Sequence, residues 1–304
     1  MQIPFFNTQK ETNNLIVSIA IDTSGLSVVA IKKSDATWHL ESATTQALTP
    51  SLSIEKQISD VLSQWDKQQC AVTLTLAQET YHVVQTDKPD VPENDIIEAL
   101  PWLLGDVVPF DASNIVLDYV DYPVKQRSGN QKIDVFAASK AQLSSLVGTI
   151  EKHKSKHLKH IHVKEVLVSD MLPDDDYARL IIVQEPSSEP FIMIVRAKHI
   201  WLARRLRGYL PKLQEDTDLT HVADSLGLEI QRSMDFYESQ LKQPPIKEVL
   251  FKTQFDCAPV IERLKPFQPV HMAEFIPELP LADVVSSQCH FALASAFYAT
   301  GDAE

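Results

Sequence analysis

Leu15-Ile-Val-Ser-Ile-Ala-Ile-Asp22-Thr-Ser24-Gly25-Leu-Ser27-Val-Val-Ala-Ile31 is the stretch that decides the fold. Two runs dense in Ile, Val and Leu are joined by a short polar turn. β-Branched side chains suit a pleated surface, so the runs predict a pair of antiparallel strands. Ser24-Gly25 supplies the reversal, and Asp22 is placed to bond the backbone beyond it.

Working outward, 15–22 and 27–32 read as strands, with a third at 36–42. Ile54, Ile58, Val61, Leu62 and Trp65 recur at helical spacing, and Ala71–Leu76 is a strand. Residues 78–135 read as a small insert. It holds a strand at Tyr81–Val84, a Pro-bounded helix from Glu93 and a strand at Ile115–Tyr119. A polar hairpin at Lys125–Lys132 leads to a strand at Ile133–Ala138. Ser139 caps a helix reaching His153, and Val163–Val168 reads as a strand. Asp174-Asp175-Asp176, after Pro173, marks the joint between two α/β halves, 1–173 and 174–304. In the second half, 177–184 and 191–196 are hairpin strands. A helix follows over 219–241 within a helical segment at 210–241, then a strand at 246–251 and a closing helix at 290–298. That last helix is expected to pack back onto the first half.

Composition narrows the function classes. At 304 residues with 44% hydrophobic content, the chain can bury large cores. No apolar run approaches the ~18 residues of a membrane span, and the N-terminus lacks a signal-peptide pattern. A net charge of −13 disfavours nucleic acid. Cys70, Cys257 and Cys289 are far apart, which suits a reducing cytoplasm without disulfides or structural zinc. Glycine is the anomaly: only seven occur. A Walker loop, a dinucleotide fingerprint and a nucleophile elbow each need several close together, and none is present.

Three constellations invite chemistry. Residues 152–164 are rich in Lys and His, and His153 and His157 could share a helix face as metal ligands. With few carboxylates nearby, a solvated helix end, a partner surface or a lipid-facing spot fits better. Arg204, Arg205 and Arg207 could grip phosphate, but a solvated strand end or partner-facing edge is the simpler account. Pro109-Phe110-Asp111, with Asp118 and Tyr119 on the next strand, forms either a core corner of the insert or a rim that receives a peptide.

In order and spacing these pieces resemble the PilM-type proteins of type IV pilus systems, most closely those of the mannose-sensitive haemagglutinin (MSHA) pilus. The resemblance is carried by the Ile21–Val28 turn, Glu98–Trp102 with Val108–Asp111, Ile115–Tyr119 and Val135–Lys140. It continues through Ala203–Gly208, Glu229–Tyr237 and Phe291–Ala296. It implies an actin-like fold: two ribonuclease-H-like halves flanking a nucleotide cleft, with an FtsA/PilM-type insert subdomain. It also implies a cytoplasmic scaffold, peripheral to the inner membrane. Such a scaffold holds the tail of a PilN-like (here MshJ-like) bitopic membrane protein beside Pro109, Phe110, Asp118 and Tyr119, and joins it to the assembly motor ATPase. A secretion-platform protein of the GspL type shares the fold, but would continue into a transmembrane helix where this chain stops at Glu304.

The same resemblance makes Asp22, Ser24, Gly25 and Ser27 the first phosphate loop, with Asp22 orienting a hydrated metal. The second loop of a nucleotide-binding member, Asp-x-Gly-x-x-x-Thr, is matched here by Gln184-Glu185-Pro186-Ser187-Ser188. The adenosine-contacting Gly-Gly is matched by Gln254-Phe255, and the aspartate ending the first half by Asp170. Losing two or three phosphate-facing amides and a metal-orienting carboxylate removes about 5–9 kcal/mol if the losses add. The expectation is therefore no ATP hydrolysis and no required cofactor or metal, with Mg-ATP binding as the alternative.

Overall fold

The computed structural model describes residues 14–105, 107–124, 131–209 and 219–301. Most of the polar hairpin expected at Lys125–Lys132, and the start of the helical segment at 210–241, lie outside them. The chain divides into two units. The first comprises Met1–Asp121, Arg127–Leu167 and Leu279–Glu304; the second comprises Tyr122–Gln126 and Val168–Glu278.

The first unit is built on β1 (Leu15–Ile21), β2 (Gly25–Ser34), β3 (Thr37–Ala47), β4 (Cys70–Thr75) and β8 (Lys156–His162). Their order is β3-β2-β1-β4-β8: an antiparallel meander of three, then two strands parallel to β1. Every residue of β1 is buried because both faces are covered. On one face Val17, Ile19, Val72 and Leu74 pack with α1 (Ile54–Ser63) and α3 (Lys140–Glu151). On the other lies α7 (His290–Tyr298), in contact with β1, β2 and β4, where Ser295 Oγ donates to Thr73 Oγ1 at 2.7 Å.

Between β4 and α3 the insert forms its own sheet, β5-β7-β6, from β5 (Tyr81–Asp87), β6 (Ile115–Asp121) and β7 (Lys132–Ser139), all antiparallel. Helix α2 (Ile96–Leu103) covers one face and buries Ile96 and Leu100 with Leu117, Ile133 and Val135.

The second unit repeats the first plan. Its sheet, β11-β10-β9-β12-β13, uses β9 (Arg179–Val183), β10 (Phe191–Arg196), β11 (His199–Arg205), β12 (Glu248–Lys252) and β13 (His271–Glu274). Again three antiparallel strands precede two parallel ones. Helices α5 (Thr220–Asp235) and α6 (Ala258–Leu264) supply its core with Val222, Leu226, Ile230, Val260 and Leu264. The long helix ends in a π-helical turn, Phe236–Gln240.

Two expectations change places. The segment 164–168 is helical, part of α4 (Lys164–Asp170), and Lys156–His162 of the basic run is strand β8. The register shifts by one residue between Val72 and Thr73 on β4, so Lys159 is the unpaired extra residue of β8. That bulge breaks the period-two alternation, and the inward positions include a lysine and a histidine. The division between units accordingly falls within α4, ahead of the Asp174–Asp176 joint.

Candidate functional site

The turn after β1 is held by one carboxylate oxygen. Asp22 Oδ1 accepts from Ser24 N at 2.6 Å, Gly25 N at 2.7 Å and Ser24 Oγ at 2.7 Å, while Asp22 N donates to Gly25 O at 3.0 Å. The two amides of this turn thus point at Asp22. Asp22 Oδ2 takes no hydrogen bond from the described residues. Ser27 is buried on β2. Gly25 is not needed for the reversal: its φ is not left-handed, and a Cβ there would lie 2.6 Å from the Gln46 carbonyl oxygen of β3. Close strand approach, rather than turn conformation, requires the glycine.

Gln184 follows β9 in the second sheet as Asp22 follows β1 in the first. Its side chain is buried, donating to Glu185 O and accepting from Gln254 N at 3.2 Å. Pro186 stands where a nucleotide loop would have glycine, and Ser187 beside it holds a left-handed φ of 55°. The loop after β12 is closed by Thr253 Oγ1 donating to Phe255 O at 2.9 Å. Asp170, at the end of α4, has Oδ2 buried without a partner among the described residues, and burial pushes its carboxyl up to about 6.

The arginine run is split: Arg207 is exposed just beyond the end of edge strand β11, whereas Arg204 is tied down. Arg204 Nη2 lies 2.6 Å from Glu229 Oε2 and 3.0 Å from Ser233 Oγ on α5, so its charge is spent within the unit. Gly208, at φ 80°, and Tyr209 donate their amides to Glu189, each at 2.8 Å.

The basic run is likewise divided: Lys152, Lys154 and His157 are exposed, while Lys156 and His153 are tied down. Lys156 is buried and its Nζ donates to Trp65 O at 2.6 Å and Gln68 O at 3.1 Å. His153 bonds Ser59 Oγ at 2.9 Å and Asp66 Oδ1 at 3.1 Å beyond the end of α3, whereas His157 sits on β8. They share no helix face. Among the described residues no group of three or more His, Cys, Asp or Glu could hold a metal.

The four residues of the expected peptide rim do not come together: Asp118 and Tyr119 on β6 point to opposite faces of the insert sheet, because successive residues of a strand point oppositely. Phe110 and Tyr119 pack on the α2 face, Phe110 edge-on to His82 with ring centroids 5.5 Å apart. Tyr119 Oη donates to Glu93 at 2.6 Å, under the ammonium of Lys88. Pro109 is exposed. Asp118 faces the other way, into a groove between the insert sheet and the first sheet.

That groove is open to solvent, and about 360 Å³ lies empty along it when the solvent at its mouth is counted. Leu76, Val116, Phe136, Leu143, Ile161 and Val163 make its walls, with Tyr81, whose Oη donates to the buried Glu165 at 2.5 Å. Asp118 is the acid in this apolar lining. Its Oδ1 accepts from Tyr119 N at 2.8 Å, and Oδ2 is buried with no partner among the described residues. Burial raises its pKa, partly offset by that amide. A buried acceptor in apolar walls is the complement of an incoming N–H or ammonium. The groove wall residues were not legible beforehand, since they come from β6, β7, α3, β8 and the residues just after β4 and β8 and share no sequence pattern.

No protein-family model matches the chain, and no curated protein sequence matches it. Among solved structures, the PilM–PilN type IV pilus biogenesis complex is similar with TM-score 0.66 and 15% identity, over 94% of this chain and 98% of that chain. A Bacteroides thetaiotaomicron protein with an actin-like ATPase fold is similar with TM-score 0.52 and 10% identity, over 91% and 97%. The fold is that of the actin-like ATPases. The cytoplasmic domain of EpsL, from the Vibrio cholerae type II secretion system, overlaps less: TM-score 0.48 and 11% identity, over 80% and 83%. In this actin-like chain, the turns after β1 and β9 occupy equivalent places in two sheets of the same strand order. One ends on a carboxylate and the other on an amide. No described helix is long and apolar enough to cross a membrane.

Proposed function

We propose that this chain is a non-catalytic scaffold of a type IV pilus inner-membrane platform, an MshI-like counterpart of PilM. It would work in the cytoplasm and hold the tail of a PilN-like (MshJ-like) membrane protein. The observation that carries this reading is the apolar groove with Asp118 unpaired in its wall, in a fold similar to PilM across nearly the whole chain. An extended peptide would bury apolar side chains between Val116 and Leu143 and give a donor to Asp118 Oδ2. Linkage to the motor ATPase would follow from that assembly. Titration of the synthetic N-terminal peptide of the MshJ-like protein tests it. The expected result is binding that Val116→Trp, which fills the groove, abolishes and Phe110→Ala leaves in place. A wild-type protein that ignores the peptide sinks the proposal.

One observation favours a second reading, in which Mg-ATP governs partner binding. Asp22 Oδ2 takes no hydrogen bond from the described residues and could meet a hydrated metal. Against it stand Gln184 in the equivalent place and the turn amides already committed to Asp22. Calorimetry with Mg-ATP separates the readings. No heat is expected; micromolar affinity lost in Asp22→Ala would reverse the preference.

A further inference from the structure

The insert presents a second surface on the side of α2 away from its sheet. Leu100, Leu104 and Val108 point inward from this segment, while Trp102, Leu103 and Val107 are 80%, 53% and 61% exposed. Side by side these large apolar groups bare on the order of a few hundred Å², the range in which surface patches are functional. The other three tryptophans are engaged. Trp65 is buried, Trp38 lies under the Lys33 ammonium, and Trp201 packs on Tyr237 and beside Arg196. Trp102 has no ring contact, ion or hydrogen bond among the described residues.

The surroundings carry one sign. Residues 78–121 contain ten carboxylates and one lysine, most of the chain's net charge of −13. That lysine, Lys88, is taken by Asp121 at 2.9 Å and Glu93 at 3.2 Å. Asp87, Asp90, Asp95, Glu98 and Asp111 are exposed and join no salt bridge among the described residues. An acidic lipid surface or nucleic acid would be repelled, and a second copy would bring two acidic rims together. Interfaces combine an aromatic centre with a charged rim of complementary sign.

We propose that the outer face of α2, centred on Trp102, is a docking surface for a cationic amphipathic segment of another protein. It is independent of the groove, which lies on the opposite face of the insert sheet.

The test titrates the full chain with a labelled synthetic helix carrying Leu at i, i+3, i+4 and i+7 and Lys elsewhere, beside its Glu-for-Lys counterpart. The Lys peptide should bind, with affinity falling as salt rises. Trp102→Ala and Glu98→Lys should each weaken it about tenfold or more, as loss of a hot-spot aromatic does, while the groove variant Val116→Trp should bind normally. The proposal fails if the Lys peptide does not bind, if the Glu peptide binds equally well, or if Trp102→Ala binds unchanged. It fails equally if Val116→Trp abolishes binding, or if sedimentation shows wild-type self-association that Trp102→Ala removes.

Discussion

A methyl group at Gly25 would collide with the Gln46 carbonyl, and that carbonyl cannot swing away without opening the β2–β3 ladder. Gly25→Ala is therefore expected to cost about 1–3 kcal/mol in urea unfolding, as overpacking does, with Mg-ATP making no difference to the loss. The glycine shortage acts elsewhere too. Among the described residues eight non-glycine residues hold left-handed φ, including Asp35 and Ala36 at 50° and 64° in the turn between β2 and β3. Scarce glycine argues against phosphate loops but does not reveal hairpin turns made without glycine, because Asp-Ala carries no positive signal for a type I′ turn. Ala36→Gly creates the favoured Asp-Gly pair and should raise stability by about 1 kcal/mol, the left-handed penalty of an L side chain. An unchanged urea midpoint would refute this.

At the scale of single elements, β8 shows where pattern reading loses its grip. Lys156 contributes its stem to the inward side while its ammonium reaches the carbonyls of Trp65 and Gln68, so a charged residue fills a buried strand position. The bulge at Lys159 then turns His160 and His162 towards Tyr298, their rings 5.2 and 4.7 Å from its centroid. His162 is buried with neither ring nitrogen hydrogen-bonded among the described residues, and desolvation first, then the neighbouring His160, lowers its pKa from 6.5 to about 3. The unfolded chain takes up a proton below pH 6.5 that the folded chain refuses until about pH 3. This stability is whole above pH 6.5 and is lost as pH falls towards 3. At pH 5 the loss is about 2 kcal/mol, at 1.36 kcal/mol per unit. Asp170, raised to about 6, works in the opposite sense, with its contribution growing as pH falls from 6 towards 3.8. Substituting His162→Leu isolates the histidine. Its melting temperature should fall less than the wild type's between pH 7.5 and 5; parallel curves would refute the assignment.

For the whole molecule, the two units were legible because each opens with a β-rich hairpin before its first helix, and the strand orders prove identical. The groove was not legible, since Asp118 and Tyr119 are neighbours in sequence and opposites in space. The return of the C-terminal segment to the first unit rests on α7, whose small residues let it lie close against the sheet. Ala292, Leu293, Ser295 and Ala296 have no exposed surface, and Phe291 almost none. Removing this helix would bare the second face of β1, β2 and β4, including Ile16, Val29, Ile31 and Ala71, and would leave Thr73 Oγ1 without Ser295. Burial of Phe291 and Leu293 alone is worth about 1.5–3 kcal/mol each, a large share of the 5–15 kcal/mol typical of a folded domain. Truncation after Glu278 should therefore strip hydrogen-exchange protection from β1, β2 and β4 while β9, β10 and β12, whose core is built within the second unit, keep theirs. Equal loss in both sheets would mean that α7 does not act through the first unit alone.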